Sequence, residues 1–109
     1  MTVYISNAFS LSMLTPPTTV KVLEVSGDDV KDILKDSFVS AVGHEATAKI
    51  ISTQLNIQVP VNRISIKLTS GDVLVVFQLL ARLPEGKILS EDELRQMPAK
   101  WYFCFVAPF

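Results

Sequence analysis

The chain has 109 residues, of which 49% are hydrophobic and 19% are charged, and its net charge at neutral pH is −1. This length allows one domain with a modest core that folds without disulfides or metal staples. The nearly neutral charge argues against long nucleic acid as a partner, because proteins that bind it usually carry a basic stripe.

Histidine and cysteine occur once each, as His44 and Cys104. An internal disulfide or a cysteine-based zinc site is therefore excluded, and neither a metal site nor a cofactor is expected. The sequence shows no signal peptide and no apolar run that could cross a bilayer, which predicts a cytoplasmic protein without a membrane partner. The mean hydropathy of +0.36 is high for a small domain and favours burial of some surface in a homo-oligomer.

Five segments have the pattern of β-strands: residues 2–5, 19–25, 61–69, 73–80 and 101–107. The last of these, residues 101–107, could instead form an interface. The alternation is clearest in residues 61–69, and the turn signal Ser70-Gly71-Asp72 predicts that this strand pairs with residues 73–80 as a hairpin. The run 73–80 is almost continuously apolar, which is typical of a central strand buried on both faces.

Three segments have the apolar spacing or the capping residues of helices: residues 27–36 after Ser26, residues 43 or 44 to 55, and residues 91–97 after Ser90. The order of elements predicts an α+β fold. It consists of a mixed sheet of about five strands with helices packed against it, in a single domain over residues 1–109.

Polar residues at the ends of these elements are the candidates for a site: Asn7, Ser10, His44, Arg63, Gln78, Arg82, Glu85 and Lys87. His44 follows Gly43 at a predicted helix start, where free N–H groups can meet an anion. Histidine is the natural general acid or base near neutral pH. A purely structural histidine is the competing interpretation, and on composition alone it is favoured.

The other candidates also have two interpretations each. Arg63 and Arg82 could clamp phosphates with their planar guanidinium groups, or could lie on a solvated face or in a surface ion pair. Glu85 could orient an attacking hydroxyl, hold an arginine, or be a simple loop charge. Gln78 lies inside an apolar run, so its amide must find a partner or a ligand. Asn7 and Ser10 could bind a ligand or stabilise their own loop.

Four motifs follow one another along most of the chain: NAFS at 7–10, AVGHEAT at 41–47, VNRI at 61–64 and RLPEGKILS at 82–90. Together they resemble the small family of viral anti-CRISPR ring nucleases and their bacterial relatives attached to type III CRISPR systems. The resemblance implies a homodimer that encloses cyclic tetra-adenylate, the messenger of these systems, on its two-fold axis and cleaves it without metal.

The resemblance also implies a role for each matched residue. His44 would be the general acid that protonates the leaving 5′ oxygen, and the ribose 2′ hydroxyl of the substrate would be the nucleophile. Arg82 and Glu85 would lie near the scissile phosphate. The remaining matches would bind the substrate: Asn7, Ser10, Gly43, Arg63 and Gln78.

Two alternatives remain open at this point. The first is a protein that sequesters the same messenger without cleaving it. The second is a regulatory, protein-binding dimer of a mobile element, although no helix-turn-helix pattern supports it. Whether such a ring nuclease defends a virus or resets the host's own signalling is also open.

Overall fold

The computed structural model describes residues 1–83, 86 and 88–109. It contains five strands, β1 (Val3–Ser6), β2 (Val20–Val25), β3 (Val39–Ser40), β4 (Val73–Leu79) and β5 (Ala99–Val106). Three α-helices, α1 (Gly27–Leu34), α2 (Glu45–Leu55) and α3 (Glu91–Gln96), and a short 3₁₀ turn at Leu11–Met13 complete the fold.

The strands form one mixed sheet in the order β2-β5-β4-β1-β3. Strand β1 runs parallel to both β3 and β4, whereas β5 is antiparallel to its neighbours β4 and β2. The predicted α+β class, with a mixed five-stranded sheet and packed helices, is confirmed. Within the described residues, no helix is long and apolar enough to cross a membrane.

Strand β4 is the central element of the core, as its apolar run predicts. Its residues 73–77 are buried, and successive side chains enter different clusters on the two faces of the sheet. Val73, Val75 and Phe77 share one cluster with the buried faces of the helices. Leu74 and Val76 belong to the other cluster. The two clusters give β4 an apolar environment on both sides, which is why it needs no polar alternation.

The prediction of a strand at residues 61–69, paired with β4 as a hairpin, is wrong. The segment is irregular, and β4 already has β1 on one side and β5 on the other, so it offers no free edge. Ile66 and Leu68 are nevertheless buried against the face of the sheet away from the helices, while Ile64 is 45% exposed. The alternation therefore reports one-sided burial and not backbone pairing.

The helix ends follow local sequence signals. Ser26 and Asp29 form a reciprocal capping box at α1, and Ser90 and Glu93 form another at α3, as predicted for Ser90. Helix α2 ends at Asn56, which takes the left-handed conformation with φ of 53°. The chain then returns along α2 toward its N-terminus, and this return brings Arg63 to the site.

Candidate functional site

The carboxyl ends of β1, β3 and β4 lie at one end of the sheet because these strands are parallel. Asn7 directly follows β1, Gly43 and His44 follow β3 after two residues, and Arg82 lies three residues beyond β4. This end of an open sheet is where ligands usually bind in folds with parallel strands. The topology thus collects predicted residues from three separate motifs at one end of the sheet.

His44 is the N-cap residue of α2, with an extended backbone (φ −124°, ψ 130°), and its side chain is exposed. Unlike Ser26 and Ser90, it makes no side-chain capping hydrogen bond. The hydrogen bonds of the described residues include none from its imidazole, and the choice between a catalytic and a structural histidine stays a prediction. As the N-cap residue, His44 lies at the end of α2 where the first N–H groups are free and the helix dipole is positive.

Arg63 lies on Gly43, the residue that precedes His44. A Cβ atom placed on Gly43 would come 3.3 Å from Cγ of Arg63 and within 3.8 Å of its Cβ and Cδ. The aliphatic stem of Arg63 is thus supported by the bare backbone of the glycine. Gly43 does not adopt a positive φ, so the space that it leaves, and not its backbone freedom, explains a glycine here.

The guanidinium groups of Arg63 and Arg82 both belong to exposed residues. Within the part of the chain that the structure describes, neither has a carboxylate within ion-pair distance. This disfavours the surface ion pair as an explanation of Arg63. Glu85, predicted beside Arg82 near the scissile phosphate, lies outside the described residues, as does Lys87.

Gln78 lies near the carboxyl end of β4, opposite Lys100 on β5. The expectation that its amide is buried and needs a partner is wrong, because burial along β4 ends at Phe77 and Gln78 is exposed. Its position at the end of the sheet still places it where a ligand could reach it.

The N-terminal loop is held mainly by its own bonds. Ser10 caps the 3₁₀ turn, since its hydroxyl accepts from the Ser12 N–H at 3.3 Å and lies 2.9 Å from the Ser12 hydroxyl. This is the loop-stabilising interpretation of Ser10. The loop is tied to the segment after Arg63, because Lys67 Nζ donates to the Ser12 carbonyl at 2.7 Å. Asn7 is half-buried.

A cleft of about 380 Å³ begins at the first turn of α2 and continues along Leu83, Ile88 and Leu89. It is mainly apolar, and neither His44 nor Arg63 lines it. The candidate site consists of the converging polar groups and not of this cleft, because the charged residues described in the cleft lining are Glu45 and Lys49, which carry opposite charges. In a single copy of the chain, these groups lie on an open surface.

Two residues of the site were missed by the sequence predictions. Ser40 and Asn62 join β3 to the chain beside Arg63, and the backbone N–H of Asn62 donates to the Val42 carbonyl at 2.8 Å. The motif VNRI at 61–64 contained Asn62, but no rule of spacing pointed to a role for its side chain.

Residues 3–102 match the family described as STIV B116-like. Uncharacterized protein 26 of Sulfolobus islandicus filamentous virus (isolate Iceland/Hveragerdi) is 42% identical over 76 residues, which cover 68% of this chain and 64% of that protein. Uncharacterized protein ORF116 of Acidianus filamentous virus 1 is 31% identical over 100 residues, 86% of this chain and 83% of that protein.

The fold is similar to a solved structure, that of B116 of Sulfolobus turreted icosahedral virus. The TM-score is 0.83 at 29% identity, and the match covers 95% of this chain and 98% of that one. The family match extends from β1 into β5 and includes the residues that converge at the end of the sheet. The chain therefore belongs to the STIV B116-like family.

Proposed function

We propose that this protein is a ring nuclease that cleaves cyclic tetra-adenylate in the cytoplasm and thereby switches off type III CRISPR signalling. The observation that carries the proposal is the packing of Arg63 on Gly43, directly before a histidine whose imidazole has no capping role. The stem of an arginine that could bind an anion thus contacts the residue that precedes the candidate proton donor, although α2 separates the two in the sequence.

The reaction requires only groups that the chain and the substrate supply. The ribose 2′ oxygen forms a bond to phosphorus, the bond from phosphorus to the 5′ oxygen breaks, and His44 gives its proton to that 5′ oxygen. The proton of the 2′ hydroxyl passes to solvent, and Glu85 is the candidate to orient that hydroxyl. One product end is a 2′,3′-cyclic phosphate. The route uses no metal centre. The sequence, with a single histidine and a single cysteine, offers no histidine- or cysteine-rich metal site.

The substrate carries four phosphates, and one copy of the chain contributes two candidate guanidinium groups, Arg63 and Arg82. A homodimer with the ring on its two-fold axis would present four, arranged with the symmetry of the ligand. Exposed apolar side chains near the site, among them Val61, Ile64 and Leu80, support burial against a second copy. Two equivalent cleavage sites would convert the ring to linear di-adenylates.

Sequestration of the messenger without cleavage is the main competing function, and a His44→Ala variant separates the two. We expect this variant to bind cyclic tetra-adenylate with near wild-type affinity and to lose at least about 100-fold in single-turnover cleavage, the usual range for a general acid. Lys49→Ala is the matched control, because Lys49 is an exposed cation one turn further along α2. Equal cleavage by His44→Ala and wild type would remove the acid role, and binding by wild type without cleavage would favour sequestration.

A further inference from the structure

The chain that follows α2 is fixed by a series of side-chain hydrogen bonds. We call residues 57–63, which run back toward the start of α2, the return segment. Its first tie is to α2 itself, where the hydroxyl of Ser52 accepts from the Val59 N–H at 3.0 Å and donates to the Val59 carbonyl at 3.2 Å. This tie aligns the segment with the helix but lies outside the candidate site.

The second tie joins the return segment to β3 and to the residues before His44. The hydroxyl of Ser40, a buried residue, donates to the Pro60 carbonyl at 2.6 Å and accepts from the Val42 N–H at 3.3 Å. The side-chain amide of Asn62 donates to the Ser40 carbonyl at 2.8 Å. With the backbone bond from Asn62 to Val42, three hydrogen bonds connect residues 60–62 to residues 40–42.

These bonds substitute for a regular β-ladder on the outer edge of β3. The Asn62 amide satisfies the Ser40 carbonyl of β3, and the Ser40 hydroxyl satisfies the Pro60 carbonyl. Each of these bonds joins one particular side chain to one particular carbonyl. A shift of the return segment by one residue would therefore break both side-chain bonds.

We infer that Ser40 and Asn62 are positioning residues that hold the guanidinium of Arg63 at a fixed place relative to His44. Arg63 directly follows Asn62, and Gly43 directly follows Val42, so the tie ends where the stem of Arg63 meets the glycine. The expected effect on binding of cyclic tetra-adenylate rests on the proposed function. The placement of Arg63 by Asn62 rests only on the hydrogen bonds and on the contact with Gly43.

Asn62→Ala removes the amide donor and leaves the backbone bond to Val42 in place. Because Asn62 is exposed on its outer side, we expect a modest effect, a roughly 3- to 10-fold weaker affinity for cyclic tetra-adenylate. If Asn62 acts through Arg63, the same substitution has no further effect in an Arg63→Ala background, because the positioned group is gone. Ser52→Ala is the matched control, since it removes the other tie of the return segment and leaves binding unchanged.

The experiment combines calorimetric titration with cyclic tetra-adenylate and NMR relaxation of the Arg63 Nε–H group in the free protein. We expect Asn62→Ala to lower the order parameter of this group and shift the Gly43 amide resonance, and Ser52→Ala to change neither. Unchanged Arg63 dynamics in Asn62→Ala, or binding losses that add fully to those of Arg63→Ala, would overturn the inference.

Two further cases are distinguishable. If the wild-type protein does not bind the ring, the proposed function fails, and the NMR comparison alone decides whether Asn62 fixes Arg63. If Asn62→Ala does not fold, Asn62→Leu takes its place, because it approximates the shape of the side chain and removes the amide donor without adding a charge. In that variant, a lower order parameter at Arg63 and a shifted Gly43 amide resonance support the inference, and unchanged values overturn it.

Discussion

Asp72 is the residue whose replacement tests the packing of the sheet most sharply. Asp72 is 5% exposed and directly precedes β4, and its carboxylate accepts three hydrogen bonds. They come from the Thr2 N–H at 3.0 Å, the Thr69 N–H at 2.8 Å and the Thr69 hydroxyl at 3.0 Å. Together they fix the start of β1 and the end of the segment that follows Arg63.

The charge of this carboxylate strengthens all three bonds. Burial by itself would raise the pKa of Asp72, but the hydrogen bonds from Thr69 and Thr2 outweigh it and hold the pKa below the usual range. Asp72→Asn keeps the shape, removes the charge and replaces one of the two acceptor oxygens with an amide group that cannot accept. Since a hydrogen bond to a charged group contributes about 1 kcal/mol more than a neutral one, the variant should lose about 2 to 3 kcal/mol of unfolding free energy.

The pH dependence gives the sign of the effect. A carboxyl whose pKa is lower in the folded state stabilises the protein above its unfolded pKa, about 3.9, and that stabilisation is lost as the pH falls through the folded value. Urea unfolding at one protein concentration should therefore show the full gap between wild type and Asp72→Asn at pH 7 and a smaller gap at pH 3.

Asp36→Asn, at an exposed carboxyl, is the control and should change stability by less than about 0.5 kcal/mol. A gap for Asp72→Asn that is as small as this control at pH 7, or that is the same size at both pH values, would refute the reasoning.

Three further predictions follow from named contacts. Gly43→Ala should push the Arg63 stem away by a few tenths of an ångström and weaken ring binding several-fold in calorimetry, while the urea midpoint stays close to wild type; equal binding would contradict the contact. Ring affinity should fall with added salt, and the slope should be shallower in Arg63→Ala, whereas an unchanged slope would remove its phosphate contact. Gln54→Ala removes hydrogen bonds to the carbonyls of Leu94 and Met97, and urea unfolding should show a loss of about 1 to 2 kcal/mol of unfolding free energy. An unchanged unfolding free energy would show that these bonds do not stabilise the fold.

The sequence predicted the elements whose signals are local. The capping box at Ser90, the stripe of α2 and the apolar run of β4 all follow from the chemistry of a few neighbouring residues, and all are confirmed. Strand β3 was missed, because two residues are too short for a pattern. The alternation at residues 61–69 was misassigned, because one-sided burial gives the same period as a paired strand.

The site was predicted as a set of residues but not as an arrangement. Parallel strands bring Asn7, His44 and Arg82 to one end of the sheet, and this depends on strand order, which local patterns do not contain. The contact of Arg63 with Gly43 joins residues twenty positions apart through a return segment that has no regular structure. Gln78 shows the opposite error, because an apolar run was extended past the point where burial ends.

The most direct test of the proposed activity is the identity of the product. Cyclic tetra-adenylate is incubated with excess protein in EDTA, and the reaction is followed by mass spectrometry. We predict complete conversion to linear di-adenylate that carries a 2′,3′-cyclic phosphate, because the substrate's own 2′ hydroxyl attacks. An intact ring, or products that carry oxygen from solvent at the cleaved phosphate from the first turnover, would contradict the account.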